Sequence, residues 1–255
     1  MTTPCVTLPL VSGGHLTGTY QPGSACPEFA VLWVHGFGSH RGGEKADAVR
    51  AECARRGWAF AAFDFRGHGE STGTMPELLA SRLVEDLTAA RDWLAARGHK
   101  RLGLVASSMG AFAAAWFAKY NPECVVGCVF LAPGFGFLDR RWDTLTADEQ
   151  EEWRTTGRRR LTNEWVDVEL GFGLVEERDR FRPFKLVAGW RTPALLFHGL
   201  ADEVVPDSDS LFFARRVDYP YVELRLLKNG DHRLTAYKDA ITSAAGEFFA
   251  RLLGE

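Results

Sequence analysis

The sequence predicts an α/β fold in which a mainly parallel sheet is flanked by helices on both faces. Short apolar runs of strand length alternate along the chain with longer amphipathic stretches of helical period. The short runs end near Gly, Pro, Asp or Asn, which are typical of turns. With 255 residues, of which 46% are hydrophobic and 25% charged, the chain can bury one sizeable core. This alternation favours parallel strands joined by helices that cover the sheet.

The core strands and helices can be placed from these runs. Six buried strands are expected at 30–34, 59–63, 102–106, 125–131, 194–197 and 222–227. Five helices are expected at 44–56, 83–94, 109–120, 208–217 and 241–252. The first of these helices stops at Gly57, a residue typical of helix ends. Two further runs, 6–11 and 16–20, are separated by Gly13 and Gly14 and predict an antiparallel hairpin at one sheet edge.

The alternation of strands and helices breaks between residues 134 and 189. Within this segment the charge-dense stretch 146–161 predicts a helix, with the arginines 158–160 on its solvated face. Large aromatic side chains are frequent here, and they either pack a small core of the segment itself or line an apolar pocket beneath a cap. The candidates for the pocket lining are Phe135, Phe137, Trp142 and Trp165. We therefore divide the chain into a core, residues 1–133 and 190–255, and a helical cap insertion, residues 134–189.

Charge and cysteine content exclude several classes of protein. Thirty Lys and Arg against 33 Asp and Glu give a net charge of −3, so no positive field attracts nucleic acid. Five cysteines are too few and an odd number for a disulfide scaffold, which favours a reducing compartment, and none has zinc-type spacing.

Targeting and cofactor signals are also missing from the sequence. The amino terminus has no Lys or Arg before Arg41, and no apolar run reaches the roughly 18 to 20 residues that span a bilayer. Gly67 and Gly69 lack the third glycine of a dinucleotide-binding turn. We therefore expect a cytoplasmic protein with no membrane span, no nucleic-acid partner, no metal and no cofactor.

One serine lies where a buried strand is predicted to turn into a helix, in Ala106-Ser107-Ser108-Met109-Gly110. A nucleophile elbow is so tight that the residues two before and two after the nucleophile must be small. Ala106 and Gly110 meet this requirement for Ser108, whereas Ser107 has Met109 at the second position. The sequence therefore predicts Ser108 as a nucleophile, and the alternative is a serine that only caps the following helix.

A serine nucleophile needs a base and a carboxylate that orients the base. On a sheet of this kind the order along the chain is serine, acid, histidine, and only His198 and His232 follow Ser108. His198 ends a predicted strand with no suitable acid between it and the serine, so His232 is the predicted base. Asp202, in the loop after that strand, is the predicted acid. The competing carboxylates are Glu203, Asp207 and Asp231.

Two backbone amides are candidates to bind an oxyanion, as acyl transfer requires. The first is the N–H of Phe37, because the glycines of residues 35–38 let the backbone bend after a core strand. The second is the N–H of Met109, at the start of a helix, where unpaired N–H groups and the helix dipole favour negative charge. His35 is interpreted as a buried residue that shapes the loop.

With these residues the chain resembles the α/β-hydrolase superfamily over most of its length. The resemblance rests on segments 35–38, 64–71, 106–110, 199–206 and 230–232, in this order. It implies the α/β-hydrolase fold with a small helical cap, and a serine hydrolase that uses a Ser-His-Asp triad and an acyl-enzyme. It also implies that Asp64, Arg66 and His68 belong to the scaffold.

A second resemblance, to the branch of acyl-protein thioesterases and acyl-glucuronide esterases, rests on residues 105–110, 145–153 and 231–233. Ala106 and Met109 stand where that branch usually has Gly and Leu. The likeness implies cleavage of an ester or thioester of an acyl group, so the expected substrate is a small acyl ester or thioester, or an acylated protein.

Other activities keep the same triad. An aminopeptidase or a perhydrolase of this fold are alternatives, and a peptidase needs an amine-binding carboxylate in the cap. The carboxylates available there are Glu149, Glu151 and Glu164. A non-catalytic ligand-binding protein of the same fold is a third alternative, although such proteins usually lose a member of the triad and none is missing here.

Overall fold

An eight-stranded sheet forms the centre of the protein in the computed structural model, which describes residues 5–162 and 166–255. The strands in chain order are β1 (Cys5–Pro9), β2 (His15–Gln21), β3 (Phe29–Val34), β4 (Ala59–Phe63), β5 (Arg101–Ser107), β6 (Val125–Leu131), β7 (Arg158–Thr162), β8 (Asp167–Gly171), β9 (Ala194–Gly199) and β10 (Val222–Leu227). Strands β7 and β8 pair with each other in a separate antiparallel hairpin.

The order of strands across the sheet is β1-β2-β4-β3-β5-β6-β9-β10. Strand β2 is antiparallel to β1 and β4, and the other neighbouring pairs are parallel. The turn between β1 and β2 contains Gly13 and Gly14, both in the left-handed region with φ of 91° and 77°. The predicted fold class and the predicted edge hairpin are both confirmed.

Helices cover both faces of the sheet. In chain order they are α1 (Glu44–Arg56), α2 (Ala80–Ala95), α3 (Met109–Tyr120), α4 (Phe137–Asp143), α5 (Ala147–Thr156), α6 (Gly173–Glu176), α7 (Pro183–Val187), α8 (Ser208–Arg216) and α9 (Lys238–Leu253). Helices α1 and α9 contribute Val49, Cys53 and Phe248 to the core on one face, and α2 and α3 contribute Leu83 and Phe112 to the core on the other. The sheet lies between the two cores. Its central strands β3 and β4 are buried along their whole length because helices cover both faces.

The segment between residues 134 and 189 is not wholly helical, and the helix predicted over 146–161 is wrong at its end. Helix α5 stops at Gly157, which has the left-handed conformation of a glycine C-cap (φ 73°). The arginines 158–160 therefore lie in strand β7, where Arg158 and Arg160 pair with carboxylates of the partner strand, Glu169 and Asp167. Charge composition alone could not distinguish a solvated helix face from a solvated hairpin.

The division of the chain at residues 134 and 189 stays our prediction, although the segment does hold helices α4 to α7 together with the β7–β8 hairpin. No helix in the described part of the chain is long and apolar enough to cross a membrane.

Candidate active site

Ser108 lies at the sharp turn between β5 and α3. Its φ of 56° and ψ of −120° are strained for a residue with a side chain, and such strain is found at functional sites. A Cβ on Gly110 would lie 2.3 Å from the carbonyl oxygen of His35, so only glycine fits there. The residue two before the serine, Ala106, is fully buried. This is the close packing for which the sequence required small residues on both sides of Ser108.

A chain of hydrogen bonds joins Ser108 to two of the other predicted site residues. His232 Nε2 lies 3.0 Å from Ser108 Oγ, and His232 Nδ1 lies 2.8 Å from Asp202 Oδ2. Because an ionised carboxylate only accepts hydrogen bonds, Nδ1 carries the proton, and the Nε2 lone pair faces the serine hydroxyl. These three residues lie 124 and 30 positions apart along the chain, and the fold brings them together at the carboxyl ends of β5 and β9.

Asp202 is held ionised by its surroundings. Its side chain is fully buried, and Oδ1 accepts hydrogen bonds from the N–H groups of Val204 (2.9 Å) and Val205 (2.8 Å). Burial raises the pKa of the Asp202 carboxyl, but hydrogen bonds from His198, His232 and the Val205 N–H outweigh it and hold this pKa well below its usual range. The carboxylate is therefore negative at neutral pH and can stabilise an imidazolium.

This low pKa predicts how stability depends on pH. The carboxylate contributes to folding stability at every pH above the unfolded pKa of about 3.9, and the contribution is lost as pH falls through the lower folded pKa. The thermal midpoint of the wild type is therefore expected to exceed that of Asp202→Asn most at neutral pH, with the gap closing below about pH 4. Thermal unfolding of both proteins from neutral to acid pH measures the gap, and a constant gap would contradict this assignment.

His198 contacts Asp202 at Oδ2, the same oxygen that His232 binds, a contact that the sequence did not reveal. The ring is fully buried, with Nε2 at 3.0 Å from the Val205 carbonyl oxygen and 3.3 Å from Asp202 Oδ2, so Nε2 carries a hydrogen. Its Nδ1 lies 2.7 Å from Ser210 Oγ. The one signal in the sequence was the spacing of a strand-end histidine four residues before an acid.

The competing carboxylates have other surroundings. Glu203 is exposed on the same loop as Asp202, and Asp207 directly precedes α8. Asp231 accepts a hydrogen bond from the Leu234 N–H at 2.8 Å. The carboxylate bonded to His232 is that of Asp202.

The loop after β3 passes directly against the serine. A Cβ on Gly36 would lie 3.2 Å from the Ser108 Cβ, which brings the neighbouring Phe37 close to the turn. In residues 5–162 and 166–255, the N–H groups of Phe37 and Met109 donate to no protein acceptor. The assignment of both amides as oxyanion donors stays a prediction.

His35 shapes this loop rather than taking protons. The Phe65 N–H donates to its Nε2 at 3.0 Å, and its Nδ1 lies 2.8 Å from the Gly36 carbonyl oxygen. Burial and the neighbouring His68 lower the pKa of His35 to about 3, so the ring is neutral at neutral pH. The ring therefore fastens the loop to the segment that follows β4.

The segment 64–71 makes the contacts of a scaffold. The buried Asp64 carboxylate accepts hydrogen bonds from the backbone N–H groups of Arg41 (2.5 Å) and Glu70 (3.0 Å) and pairs with the Arg41 guanidinium. Arg66 pairs with the buried Asp86 at 2.6 Å. The first ion pair connects two loops at the carboxyl edge of the sheet, and the second ties the segment to helix α2.

The four aromatic residues proposed for a pocket lie in different surroundings. Phe135 is buried in the core, stacked on Phe213 with ring centroids 4.7 Å apart and edge-on to Phe130 at 5.5 Å. Trp142 packs against Phe172 at 5.8 Å, inside the segment itself. Trp165 and the alternative carboxylate Glu164 lie outside the described residues.

Phe137 is the candidate that reaches the loop beside Ser108. Its ring centroid lies 5.9 Å from that of Phe37, and the Arg141 guanidinium covers both rings, at 4.8 Å from Phe37 and 5.2 Å from Phe137. From the hairpin side, Val166 also touches this loop, since a Cβ on Gly38 would lie 2.2 Å from the Val166 Cγ1. The segment 134–189 therefore forms part of the wall around the serine.

The sheet order, the strained serine turn and the hydrogen-bonded Ser108, His232 and Asp202 are those of a serine hydrolase of the α/β-hydrolase superfamily. The chain belongs to the Hydrolase_4 family, described as serine aminopeptidase S33, which matches residues 25–160, more than half of its length. The predicted superfamily is confirmed, and with it the class of hydrolase.

Known relatives include thioesterases. The chain is 28% identical to the mitochondrial palmitoyl-protein thioesterase ABHD10 of Mus musculus over 212 residues, 82% of this chain and 70% of that protein. With the Homo sapiens protein of the same name it shares 26% identity, over 82% of this chain and 68% of the other. Because these relatives are named as mitochondrial, the cytoplasmic location stays a prediction.

Solved structures show the same fold. The alpha/beta hydrolase domain-containing protein 10 from mouse superposes with a TM-score of 0.85 at 25% identity, covering 98% of this chain and 99% of the other. Est1E from Butyrivibrio proteoclasticus, solved with ferulic acid bound, also gives a TM-score of 0.85, at 19% identity and with 98% and 100% coverage. The second likeness concerns the fold alone.

Proposed function

We propose that the protein hydrolyses carboxylic esters or thioesters of acyl groups through an acyl-enzyme on Ser108. The observation that carries this proposal is the unbroken hydrogen-bonded chain from Ser108 through His232 to Asp202. The two free amides beside it, of Phe37 and Met109, supply the donors that acyl transfer needs. The thioesterase relatives support an acyl substrate.

The first half of the proposed reaction forms the acyl-enzyme. His232 Nε2 takes the hydroxyl proton of Ser108 while Ser108 Oγ attacks the acyl carbonyl carbon. The carbonyl electron pair moves onto oxygen, and the N–H groups of Phe37 and Met109 bind the oxyanion. When this intermediate collapses, the bond to the alcohol or thiol breaks, and His232 gives its proton to the leaving group.

A water molecule completes the second half of the proposed reaction by hydrolysing the acyl-enzyme. His232 takes a proton from the water molecule, whose oxygen attacks the carbonyl carbon of the acylated Ser108. The second oxyanion collapses, the bond to Ser108 Oγ breaks, and Oγ receives the proton from His232 as the carboxylic acid leaves. Asp202 stays ionised throughout and stabilises the imidazolium formed in each half.

A fluorophosphonate probe tests the proposal directly, because it reacts with an activated serine and leaves a stable adduct. We expect labelling at Ser108, located by peptide mass spectrometry, and hydrolysis of 4-nitrophenyl butyrate by the same preparation. Folded protein that neither reacts with the probe nor hydrolyses the ester would instead be a ligand-binding protein of this fold.

An aminopeptidase is the second candidate, and the description of the matching family favours it. Of the three carboxylates named for an amine-binding role, the two within the described residues already have partners: Glu149 pairs with Arg159 at 2.8 Å and Glu151 with Arg154 at 2.6 Å. Their engagement favours the esterase. Comparing aminoacyl 4-nitroanilides with 4-nitrophenyl esters decides between the two, since a peptidase prefers the former.

Acyl chain length is expected to control the rate. An apolar wall around Phe137 gains roughly 0.8 kcal/mol for each CH₂ of the substrate that it buries, or about fourfold in binding per carbon. For esters with acyl chains of about two to ten carbons, kcat/KM is therefore expected to rise to an optimum and then fall. Phe137→Ala should move this optimum.

The matched control is Phe184→Ala, since Phe184 lies in the same segment but is 59% exposed. Its chain-length profile should equal that of the wild type. Phe135→Ala, which removes a buried core ring, is expected to lower the thermal midpoint and leave the optimum in place. A flat profile in the wild type, unchanged in Phe137→Ala, would leave a small-ester hydrolase whose aromatic residues only pack the segment.

A further inference from the structure

Lys45 forms a bridge between the residue before Ser108 and the residue after His232. Its Nζ donates to Ser107 Oγ at 3.1 Å and to the backbone carbonyl of Arg233 at 2.8 Å. Ser107 directly precedes Ser108, and Arg233 directly follows His232. One ammonium group is therefore one residue away from each end of the hydrogen bond between Ser108 and His232.

The lysine itself stands on a rigid element. It lies in the first turn of α1, and the next residue, Ala46, is buried together with Val49 and Cys53 in the core against the sheet. The ammonium position is thus set by the packing of α1. A group that accepts a hydrogen bond from Lys45 is therefore held in position relative to the sheet.

The histidine, in contrast, stands on a loop between β10 and α9. Leu234, two residues after it, has a left-handed conformation with φ 53° and is fully buried. Separate local contacts hold this loop: the Leu234 N–H donates to Asp231 Oδ1 at 2.8 Å, and the Ala201 N–H donates to the Gly230 carbonyl at 3.0 Å. The bond from Lys45 to the Arg233 carbonyl joins this loop to the serine turn.

Burial of this ammonium group has a cost for folding. Burial and the positive charge of Arg233 lower the pKa of Lys45 to about 8, and the Asp231 carboxylate opposes them, so the group is mostly protonated at neutral pH. A protonated amine taken out of water is unfavourable unless its hydrogen bonds compensate. An apolar side chain of the same length would fill the space without this cost, which argues for a role beyond stability.

Resting on the function proposed above, we infer that Lys45 is a positioning residue: by bonding to Ser107 and Arg233 it holds Ser108 Oγ and His232 Nε2 at the distance needed for proton transfer. It touches neither the substrate nor the transferred proton. Without it the loop can shift, and small displacements of reacting groups are costly, since about 1 Å lowers rates by about 100-fold.

The test compares Lys45→Met with Lys119→Met. Lys119 is a matched control because its Nζ likewise makes two hydrogen bonds, in this case to the backbone carbonyls of Leu186 and Ala188, neither of which is next to a residue of the triad. For 4-nitrophenyl butyrate we expect Lys45→Met to lower kcat by about 10- to 100-fold and to leave KM within about twofold, with fluorophosphonate labelling slowed in parallel. Lys119→Met should keep the wild-type kcat, whatever its effect on the thermal midpoint.

A double-mutant cycle with Ser107→Ala separates positioning from general stability. Ser107→Ala removes one of the two acceptors and is expected to lower kcat a few-fold, and it should have no further effect when Lys45 is already Met. Lys45→Arg keeps a donor at this position and should recover part of the kcat. Lys45→Arg also replaces Lys45→Met as the test variant if Lys45→Met does not fold.

Several outcomes would overturn the inference. A folded Lys45→Met with kcat within about twofold of the wild type would do so, as would additive effects of Lys45→Met and Ser107→Ala. If Lys45→Met does not fold, Lys45→Arg takes its place. A folded Lys45→Arg that recovers no kcat, and so shows the whole loss expected for Lys45→Met, would also overturn the inference. A wild type that the probe does not label would instead refute the proposed function, so the two failures are distinguishable.

Discussion

Ser108→Ala is expected to lower kcat for 4-nitrophenyl butyrate by several orders of magnitude, because the attacking oxygen is removed. A residual rate of roughly 10³- to 10⁴-fold over the uncatalysed reaction can persist, since positioning and the oxyanion donors remain. Alanine keeps the Cβ that already fits the turn at φ 56°, so the fold should be retained. Steady-state kinetics and thermal unfolding measure the two quantities separately.

The comparison variant is Ser107→Ala, which changes the neighbouring hydroxyl. Ser107 is buried and accepts its hydrogen bond from Lys45, so this change is expected to reduce activity a few-fold and leave probe labelling intact. If Ser107→Ala were inactive and Ser108→Ala active, the nucleophile would be the other serine.

Asp202→Asn is expected to give the second largest loss, about 10⁴-fold in kcat, as for the equivalent change in other serine triads. The amide cannot hold the His232 ring with Nδ1 protonated as the carboxylate does at 2.8 Å, so Nε2 no longer faces Ser108 as an acceptor. It also has no charge to stabilise the imidazolium. The measurement is kcat for 4-nitrophenyl butyrate, on protein that thermal unfolding shows to be folded.

Glu203→Gln is the matched control, because Glu203 is the next residue on the same loop and its side chain is exposed. It should keep wild-type kinetics. A fully active Asp202→Asn together with an inactive Glu203→Gln would move the acid to Glu203.

Much of this site could be predicted because its requirements are local in sequence. The serine turn needs small residues at fixed spacing, and Ala106 and Gly110 satisfy that spacing. The order serine, acid, histidine then left few candidates, and the fold places Asp202 and His232 within hydrogen-bonding distance of each other.

The supporting contacts could not be predicted, since they join residues that share no local pattern. Lys45 reaches Ser107, 62 positions away, and Arg233, 188 positions away. His198 looked like a rejected candidate for the base, and its contact with Asp202 depends on how the loop after β9 folds back. The end of α5 was missed for another reason, because arginines are compatible with both a helix and an exposed strand.

The surroundings of Asp202 determine how the site responds as charge moves during a reaction. Its carboxylate faces two backbone N–H groups and two imidazole rings, all within about 3.3 Å and all fixed by the fold before any substrate arrives. In water, solvent dipoles must reorient around an imidazolium as it forms, and this reorientation adds to the barrier. In the proton transfer that we propose, the dipoles around Asp202 already have the required orientation, and such preorganisation lowers the reorganisation energy.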